Sequence, residues 1–149
     1  MKYSFYVANN QSAESCLNRI TFDSESKNGE VQLCDKLPQG VQFIAHNSVD
    51  KKVYAVIGSE KEDECILITY DQTKIHQIYQ RRIKVHSASY IYIDPTMRKA
   101  YLSDYLGSQF ALIELDFKGI PKKGIQYFKL EGSGPVLERQ EKSHPHSIL

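Results

Sequence analysis

The side chains best suited to chemistry lie close together near the end of the chain, in "GPVLERQEKSHPH" at 134–146. Arg139 could bind a phosphate or a carboxylate through two parallel hydrogen bonds. His144 and His146 could act as general acid and base, because an imidazole titrates near neutral pH. Pro145 keeps the backbone extended, so the two rings project in a fixed relation. The stretch therefore predicts an anion-binding and proton-transfer site.

Two other interpretations of the histidine pair stay open. Residues i and i+2 of an extended segment share a face, so His144 and His146 could together bind a metal ion. No cysteine and no set of carboxylates at a suitable spacing completes such a site, and we predict no metal. The alternative is a pair of surface histidines that contact only solvent.

The composition limits the class of protein that must position these residues. The chain has 149 residues, 41% of them hydrophobic, which is enough for one domain with a core. A net charge of +1 argues against nucleic acid or an anionic membrane as a partner.

The location of the protein is predicted from what its sequence lacks. No apolar run approaches the roughly 18 residues that span a bilayer. The apolar stretch at the amino terminus is too short for a signal peptide. We therefore predict a cytoplasmic protein with no membrane contact. Its three cysteines are then reduced thiols, and the Asn10-Gln11-Ser12 sequon carries no weight.

Short stretches of alternating apolar and polar residues run along the whole chain, separated by polar turns. "KYSFYVA" at 2–8 and "KKVYAVI" at 51–57 are two of them, and both are rich in Tyr and Val. This alternation predicts β-strands throughout, with no long helix. The Asn28-Gly29 dipeptide predicts a hairpin turn, because these residues accept positive φ angles.

The strands repeat at a fixed interval along the chain. Tyr6, Tyr54 and Tyr101 occupy equivalent strand positions, 48 and 47 residues apart. The third strand of each repeat ends in an aspartate. Four strands in a period of about 40–50 residues are typical of a β-propeller blade. The predicted fold is therefore all-β and made of propeller blades, and a β-sandwich is the alternative.

The repeat divides the chain into blades. We predict blade one at about 3–36 without its inner strand, blade two at about 41–83, blade three at about 88–130, and a loop with the first strand of blade four at 131–149. Closed propellers use roughly four to eight blades. About three blades of an incomplete propeller leave edges unpaired. The chain is thus expected either to belong to a longer protein or to associate with itself through its unclosed edges.

The polar loop lies at a place where propellers commonly have their sites. It connects an outer strand to the next inner strand, and it is longer than the equivalent connections at 37–40 and 84–88. Such connections end at the mouth of the central channel. Tyr105 of blade three is expected either to line this channel or to pack between blades. His46 and His86 are expected to be ordinary loop residues.

The sequence at this loop resembles the lactonase family of seven-bladed β-propellers. Members carry Gly-Pro, Arg-Gln and His-Pro-His-Ser, which stand here as Gly134-Pro135, Arg139-Gln140 and His144-Pro145-His146-Ser147. The opening "YSFYVANN" and the stretch "DPTMRKAYLSDYLGSQFALIELD" at 94–116 are similar to the family as well. One turn departs from the family's usual Asn-Tyr-Gly-Gly, with Asp104-Tyr105-Leu106-Gly107 in its place.

The resemblance implies a function, a substrate and roles for four residues. Bacterial members include 6-phosphogluconolactonase, which hydrolyses 6-phosphoglucono-1,5-lactone to 6-phosphogluconate in the pentose phosphate pathway without a metal or an organic cofactor. On this basis His146 is the expected proton-transfer residue and Arg139 the anion ligand, with His144 and Gln140 in support. The expected partner is a sugar lactone, with little activity in this chain alone. The alternative is a non-catalytic propeller module for assembly.

Overall fold

The computed structural model describes residues 1–9 and 15–148 of the chain. The Asn10 sequon and Leu149 lie outside the described residues. Within them the prediction of an all-β fold is confirmed, with one four-residue helix. The elements are β1 (Lys2–Ala8), β2 (Cys16–Asp23), β3 (Asn28–Lys36), β4 (Val41–Asn47), β5 (Lys52–Gly58), β6 (Cys65–Asp71), β7 (His76–Ile83), β8 (Ala88–Asp94), β9 (Lys99–Asp104), β10 (Gln109–Leu115), β11 (Pro121–Lys129) and α1 (Leu137–Gln140).

The strands form three antiparallel sheets in which each strand pairs with its neighbours in the sequence. Sheet one has the order β1-β2-β3, sheet two β4-β5-β6-β7, and sheet three β8-β9-β10-β11. The four-stranded meanders of sheets two and three are typical of propeller blades, and the predicted blade boundaries stay a prediction. Sheet one has three strands in the described residues.

The chain divides into two compact units, Met1–Val41 and Gln42–Leu149. The first unit contains sheet one. Its β1 and β2 pair in continuous register from Lys2 opposite Asp23 to Ala8 opposite Leu17. Apolar and polar side chains alternate along β1, as the sequence predicts.

Sheets two and three pack face to face in the second unit and share one apolar core. Hydrogen bonds also join them: the Tyr54 hydroxyl donates to the Gly119 carbonyl at 2.7 Å, the Ala88 amide donates to Gln42 Oε1 at 2.8 Å, and Arg81 on β7 donates to the Lys123 carbonyl on β11. The buried members of the core are Tyr54, Val56, Cys65, Leu67, Ile83, Val85, Ala88, Ile91, Ile93, Ala100, Leu102, Ala111, Ile113 and Leu115.

The repeated aspartate at the end of each third strand forms a turn. Asp23 Oδ1 accepts from the Glu25 amide at 3.0 Å, Asp71 Oδ1 from the Thr73 amide at 2.9 Å, and Asp116 Oδ1 from the Lys118 amide at 2.8 Å. A short carboxylate side chain satisfies the backbone two residues further on, which is why aspartate suits this position.

The hairpin between β2 and β3 turns on different residues from those predicted. Asn28 and Gly29 already belong to β3, and the positive φ of 57° lies at Lys27. A residue with a positive φ also stands directly before β5, β7, β9 and β10. These residues are Lys51, Ile75, Arg98 and Ser108. A four-residue turn that ends in this conformation does not require the Asn-Gly dipeptide, and so the dipeptide misleads here.

The connection after β11 begins with a hydrogen bond from the Leu130 amide to the Ser108 carbonyl at 2.8 Å. Its helix α1 was not foreseen from the sequence. Residues 141–148 form no strand, so the start of a fourth blade stays a prediction. Among the described residues no helix is long and apolar enough to cross a membrane.

Candidate functional site

Three hydrogen bonds hold the later part of the connection after β11, residues 142–145, on sheet three. Lys142 Nζ donates to the Leu106 carbonyl at 2.7 Å, and His144 Nδ1 donates to the Tyr105 carbonyl at 3.0 Å. Ser89 Oγ on β8 donates to the Pro145 carbonyl at 2.8 Å. The His-Pro-His segment therefore has a defined position over the β9–β10 turn.

The aromatic ring of Tyr105 contacts both predicted histidines. The His144 ring stacks on it with the centroids 4.5 Å apart and the planes at 26°, and the His146 ring meets it edge-on at 4.7 Å and 60°. One tyrosine thus fixes the relation between the two imidazoles. Tyr105 therefore lies beside the predicted histidines, while its place in a central channel stays a prediction.

The two histidines differ in their surroundings. Only 15% of the His144 side chain is exposed, and its Nδ1 must carry the proton because a carbonyl only accepts. Its Nε2 lies 3.4 Å from Glu141 Oε1. Hydrogen bonds from the Glu141 backbone amide and from His144 lower the pKa of the Glu141 carboxyl. His146, in contrast, is exposed to solvent.

A cleft of about 600 Å³ lies between the connection and the β9–β10 turn. Four of its lining residues are those predicted from the sequence, Arg139, Gln140, His144 and His146. The structure therefore brings all four together, while their roles stay predictions. The other lining residues are Tyr105, Glu131, Gly132, Ser133, Gly134, Val136, Lys142 and Ser143.

Gln140 shapes the wall of this cleft. Its backbone carbonyl accepts from the Gly134 amide at 2.8 Å, and its side-chain Oε1 accepts from the Val136 amide at 3.3 Å. A Cβ atom at Gly134 would collide with the Gln140 side chain. The Gly-Pro and Arg-Gln parts of the sequence are thus coupled, because the glycine leaves room for the glutamine.

A buried carboxylate supports the turn that carries Tyr105. Asp104 is fully buried, and it accepts hydrogen bonds from the Ser87 and Gly107 amides at 3.1 and 2.9 Å and from Gln109 Nε2 at 2.9 Å. His86 Nδ1 lies 3.3 Å from the same group. An aspartate can accept all of these bonds at once, so the departure from the family's usual asparagine leaves a well-ordered turn.

The other two histidines considered in the sequence lie outside the cleft. His86 contacts the buried Asp104 carboxylate from below the turn. His46 contacts Gln72 at 3.0 Å at one end of sheet two. The connection to sheet three leaves from the other end of that sheet. Neither residue lines the cleft.

Three contributors to the site were not identified from the sequence. Lys142 and Glu141 lie inside the quoted stretch, and their charge was the available indication. Ser89 gives no indication, because its hydrogen bond spans 56 residues of chain. Within residues 1–9 and 15–148 no three His, Cys, Asp or Glu side chains form a group that could hold a metal ion.

Comparisons with known proteins agree on one family. The family model described as "Lactonase, 7-bladed beta-propeller" matches residues 4–149. A 6-phosphogluconolactonase of Formosa agariphila is 26% identical over 132 residues, which are 85% of this chain and 37% of that protein.

Solved structures show the same fold at low identity. A candidate 6-phosphogluconolactonase of Bacteroides fragilis superimposes with a TM-score of 0.75 at 17% identity, over 96% of this chain and 40% of that one. Another from Bacteroides uniformis gives 0.77 at 16% identity, over 96% and 42%. The chain thus spans about two fifths of the length of these relatives.

Proposed function

Because the chain belongs to the lactonase family of seven-bladed β-propellers, we propose that it carries the sugar-lactone cleft of a 6-phosphogluconolactonase-like hydrolase. The observation that supports this most directly is a single cleft lined by a guanidinium and two imidazoles, those of Arg139, His144 and His146. An anion ligand beside a proton-transfer group is what a phosphorylated lactone requires. The relatives' names agree with this substrate.

Binding in this proposal depends on the two cations of the cleft. Arg139 is exposed and presents a planar fork of N–H donors to an anionic substrate. Lys142 uses one of its three donors for the Leu106 carbonyl, and an ammonium retains two more for the ligand. The phosphate of 6-phosphoglucono-1,5-lactone would occupy this part of the cleft.

The reaction in this proposal is attack of water on the lactone carbonyl. His146 takes a proton from the water as its oxygen bonds to the carbonyl carbon. The ring C–O bond then breaks, and the proton passes to the departing ring oxygen, which becomes the hydroxyl of 6-phosphogluconate. His144 acts as a positioning residue, because its Nδ1 proton is committed to the Tyr105 carbonyl. The enzyme would act in the cytoplasm, in the pentose phosphate pathway.

We expect the 149-residue chain alone to hydrolyse the lactone slowly, because it spans 37% of the curated relative. The test combines hydrolysis of 6-phosphoglucono-1,5-lactone, measured against the spontaneous rate, with calorimetric binding of 6-phosphogluconate. Arg139→Ala should weaken product binding at least about tenfold, since a charge-assisted hydrogen bond is lost. His146→Ala should remove any rate enhancement and leave binding nearly unchanged.

The matched control is His76→Ala, which replaces an exposed histidine at the far end of sheet two. This variant should retain both the binding and the rate of the original chain. If 6-phosphogluconate does not bind and the lactone disappears at the spontaneous rate, the proposal is wrong. It is also wrong if His76→Ala changes either quantity as much as the two cleft variants do.

The alternative function, a non-catalytic module for assembly, is favoured by a different observation. Sheet one exposes large apolar side chains on one face, among them Phe5 at 52% and Val31 at 69%. A surface of this kind is typical of a contact with another protein.

A further inference from the structure

One wall of the cleft takes no part in the chemistry proposed above. It is the start of the connection after β11, where Glu131, Gly132, Ser133 and Gly134 line the cleft. Ser133 is the member of this wall whose side chain can donate a hydrogen bond. Among the described residues its hydroxyl has no protein partner, so its hydrogen is available to a ligand in the cleft.

The two glycines beside Ser133 hold it in this position for different reasons. Gly132 has a φ of 125°, which other residues rarely adopt, and a Cβ atom there would meet nothing within 4 Å. Glycine is therefore required at 132 by the direction of the chain. At Gly134 it is required by space, because a Cβ atom would collide with the Gln140 side chain. Together the two glycines present the serine at one place on the wall.

Ser133 and Arg139 lie on segments that contact each other. The Gly134 amide donates to the Gln140 carbonyl at 2.8 Å, and this bond joins the residue after Ser133 to the residue after Arg139. The Arg139 amide donates to the Val136 carbonyl at 3.0 Å, which closes the turn between the two segments. Both side chains line the same cleft. One ligand group in the cleft can therefore contact the hydroxyl and the guanidinium together.

A phosphate group matches this pair of donors better than a carboxylate does. A guanidinium fork binds two oxygens, which are all that a carboxylate has. A phosphate monoester has three strongly accepting oxygens, so one is left for a neutral hydroxyl. The charges of the lining agree with an anionic ligand, because Arg139 and Lys142 outnumber the carboxylate of Glu131.

We propose that the Ser133 hydroxyl donates to the phosphate of the substrate beside Arg139, and that Ser133 thereby favours phosphorylated over unphosphorylated sugar lactones. The identity of the sugar in this inference rests on the proposed function, whereas the contact with phosphate does not. Ser133 acts in binding alone, and proton transfer stays with His146.

Calorimetry with three ligands tests the contact. Ser133→Ala should weaken the binding of inorganic phosphate and of 6-phosphogluconate about tenfold, because each loses a hydrogen bond to a charged group. Binding of gluconate, which has a carboxylate and no phosphate, should not change. Ser133→Thr retains the hydroxyl and should bind both phosphate ligands as the original chain does.

The matched control is Ser48→Ala, which replaces an exposed serine in the turn between β4 and β5 that does not line the cleft. This variant should bind all three ligands as the original chain does. Combining Ser133→Ala with Arg139→Ala should cost less than the two single losses together, because both donors bind one phosphate. Ser133→Gly replaces Ser133→Ala if the alanine variant fails to melt cooperatively by circular dichroism.

The three ligands separate failure of this inference from failure of the proposed function. The inference is wrong if Ser133→Ala binds inorganic phosphate as tightly as the original chain, or if it weakens gluconate binding equally. The proposed function alone is wrong if inorganic phosphate binds and depends on Ser133 while 6-phosphogluconate does not bind. Both are wrong if neither inorganic phosphate nor 6-phosphogluconate binds the original chain.

Discussion

Sheet one and sheet two share a strand pattern but differ in what covers it. Val53 and Ala55 on β5 are 1% and 0% exposed, whereas their counterparts Phe5 and Val7 on β1 are 52% and 44% exposed. Alternation therefore determines which side of a strand is apolar, but it does not determine whether that side is buried. The same sequence pattern produces buried side chains in one place and exposed apolar side chains in the other.

The largest test of this difference compares an isoleucine with a leucine on the equivalent face. Ile68→Ala should lower the free energy of unfolding by about 3 kcal/mol, because it removes a side chain 2% exposed beside Ala55 and leaves a cavity. Leu33→Ala, at a position 50% exposed, should cost less than about 1 kcal/mol. Urea unfolding followed by circular dichroism measures both. Equal losses would show that the faces of sheets one and two are covered alike.

The second comparison concerns two aspartates in turns. Asp104→Asn should cost about 2 kcal/mol, because the amide group that replaces one oxygen faces the donors Gln109 Nε2 and His86 Nδ1. Asp23→Asn in sheet one should cost much less, since its turn faces water. The same urea experiment compares them, and loss of the ring contact between Tyr105 and His144 in the Asp104 variant would be seen by NMR. A neutral Asp104→Asn would contradict the supporting role of this carboxylate.

The third comparison is between equivalent tyrosines. Tyr54→Phe should cost about 1 kcal/mol, since it leaves the buried Gly119 carbonyl without its donor. Tyr101 is the equivalent residue on β9 and is half-buried. Tyr101→Phe removes its hydroxyl and should change the free energy of unfolding by less than about 0.5 kcal/mol. Thermal melts of the two variants beside the original chain decide this. A larger loss of stability for Tyr101→Phe than for Tyr54→Phe would show that the Tyr101 hydroxyl is buried in the fold.

The fourth comparison concerns a pH dependence. Burial raises the pKa of the Cys65 thiol from 9.0 to about 11. A raised pKa means that the thiol's contribution to stability is complete below the unfolded value and is lost as the pH rises through the folded value. Between pH 9.0 and about 11 the original chain should lose about 5 °C more in Tm than Cys65→Ala does. Parallel slopes would show that the thiol titrates normally.

Much of the fold could be predicted because its determinants are local. The alternation in β1 and β5 gave strands, and the spacing of Tyr6, Tyr54 and Tyr101 gave the repeat. The turn at Asn28-Gly29 was misassigned because a four-residue turn with its left-handed residue at Lys27 competes with the two-residue type. Helix α1 is a single turn, too short to produce a periodic pattern.

The site could be predicted less completely because its support is not local. Arg139, His144 and His146 were found from their types and spacing, Gln140 was implied by the family resemblance, and one cleft contains all four. The tyrosine that orders the two imidazoles comes from the preceding sheet, and a tyrosine among strands has many other uses. The serine that holds the Pro145 carbonyl is an ordinary residue whose importance appears only when distant parts of the chain meet.

The three hydrogen bonds that fasten the His-Pro-His segment have a consequence for biosynthesis. They join Lys142, His144 and Pro145 to partners 36, 39 and 56 positions earlier in the chain. A growing polypeptide folds from its amino end as it leaves the ribosome. The lining residues of this cleft lie at or before His146, so this part of the chain can form the cleft during translation once His146 has emerged.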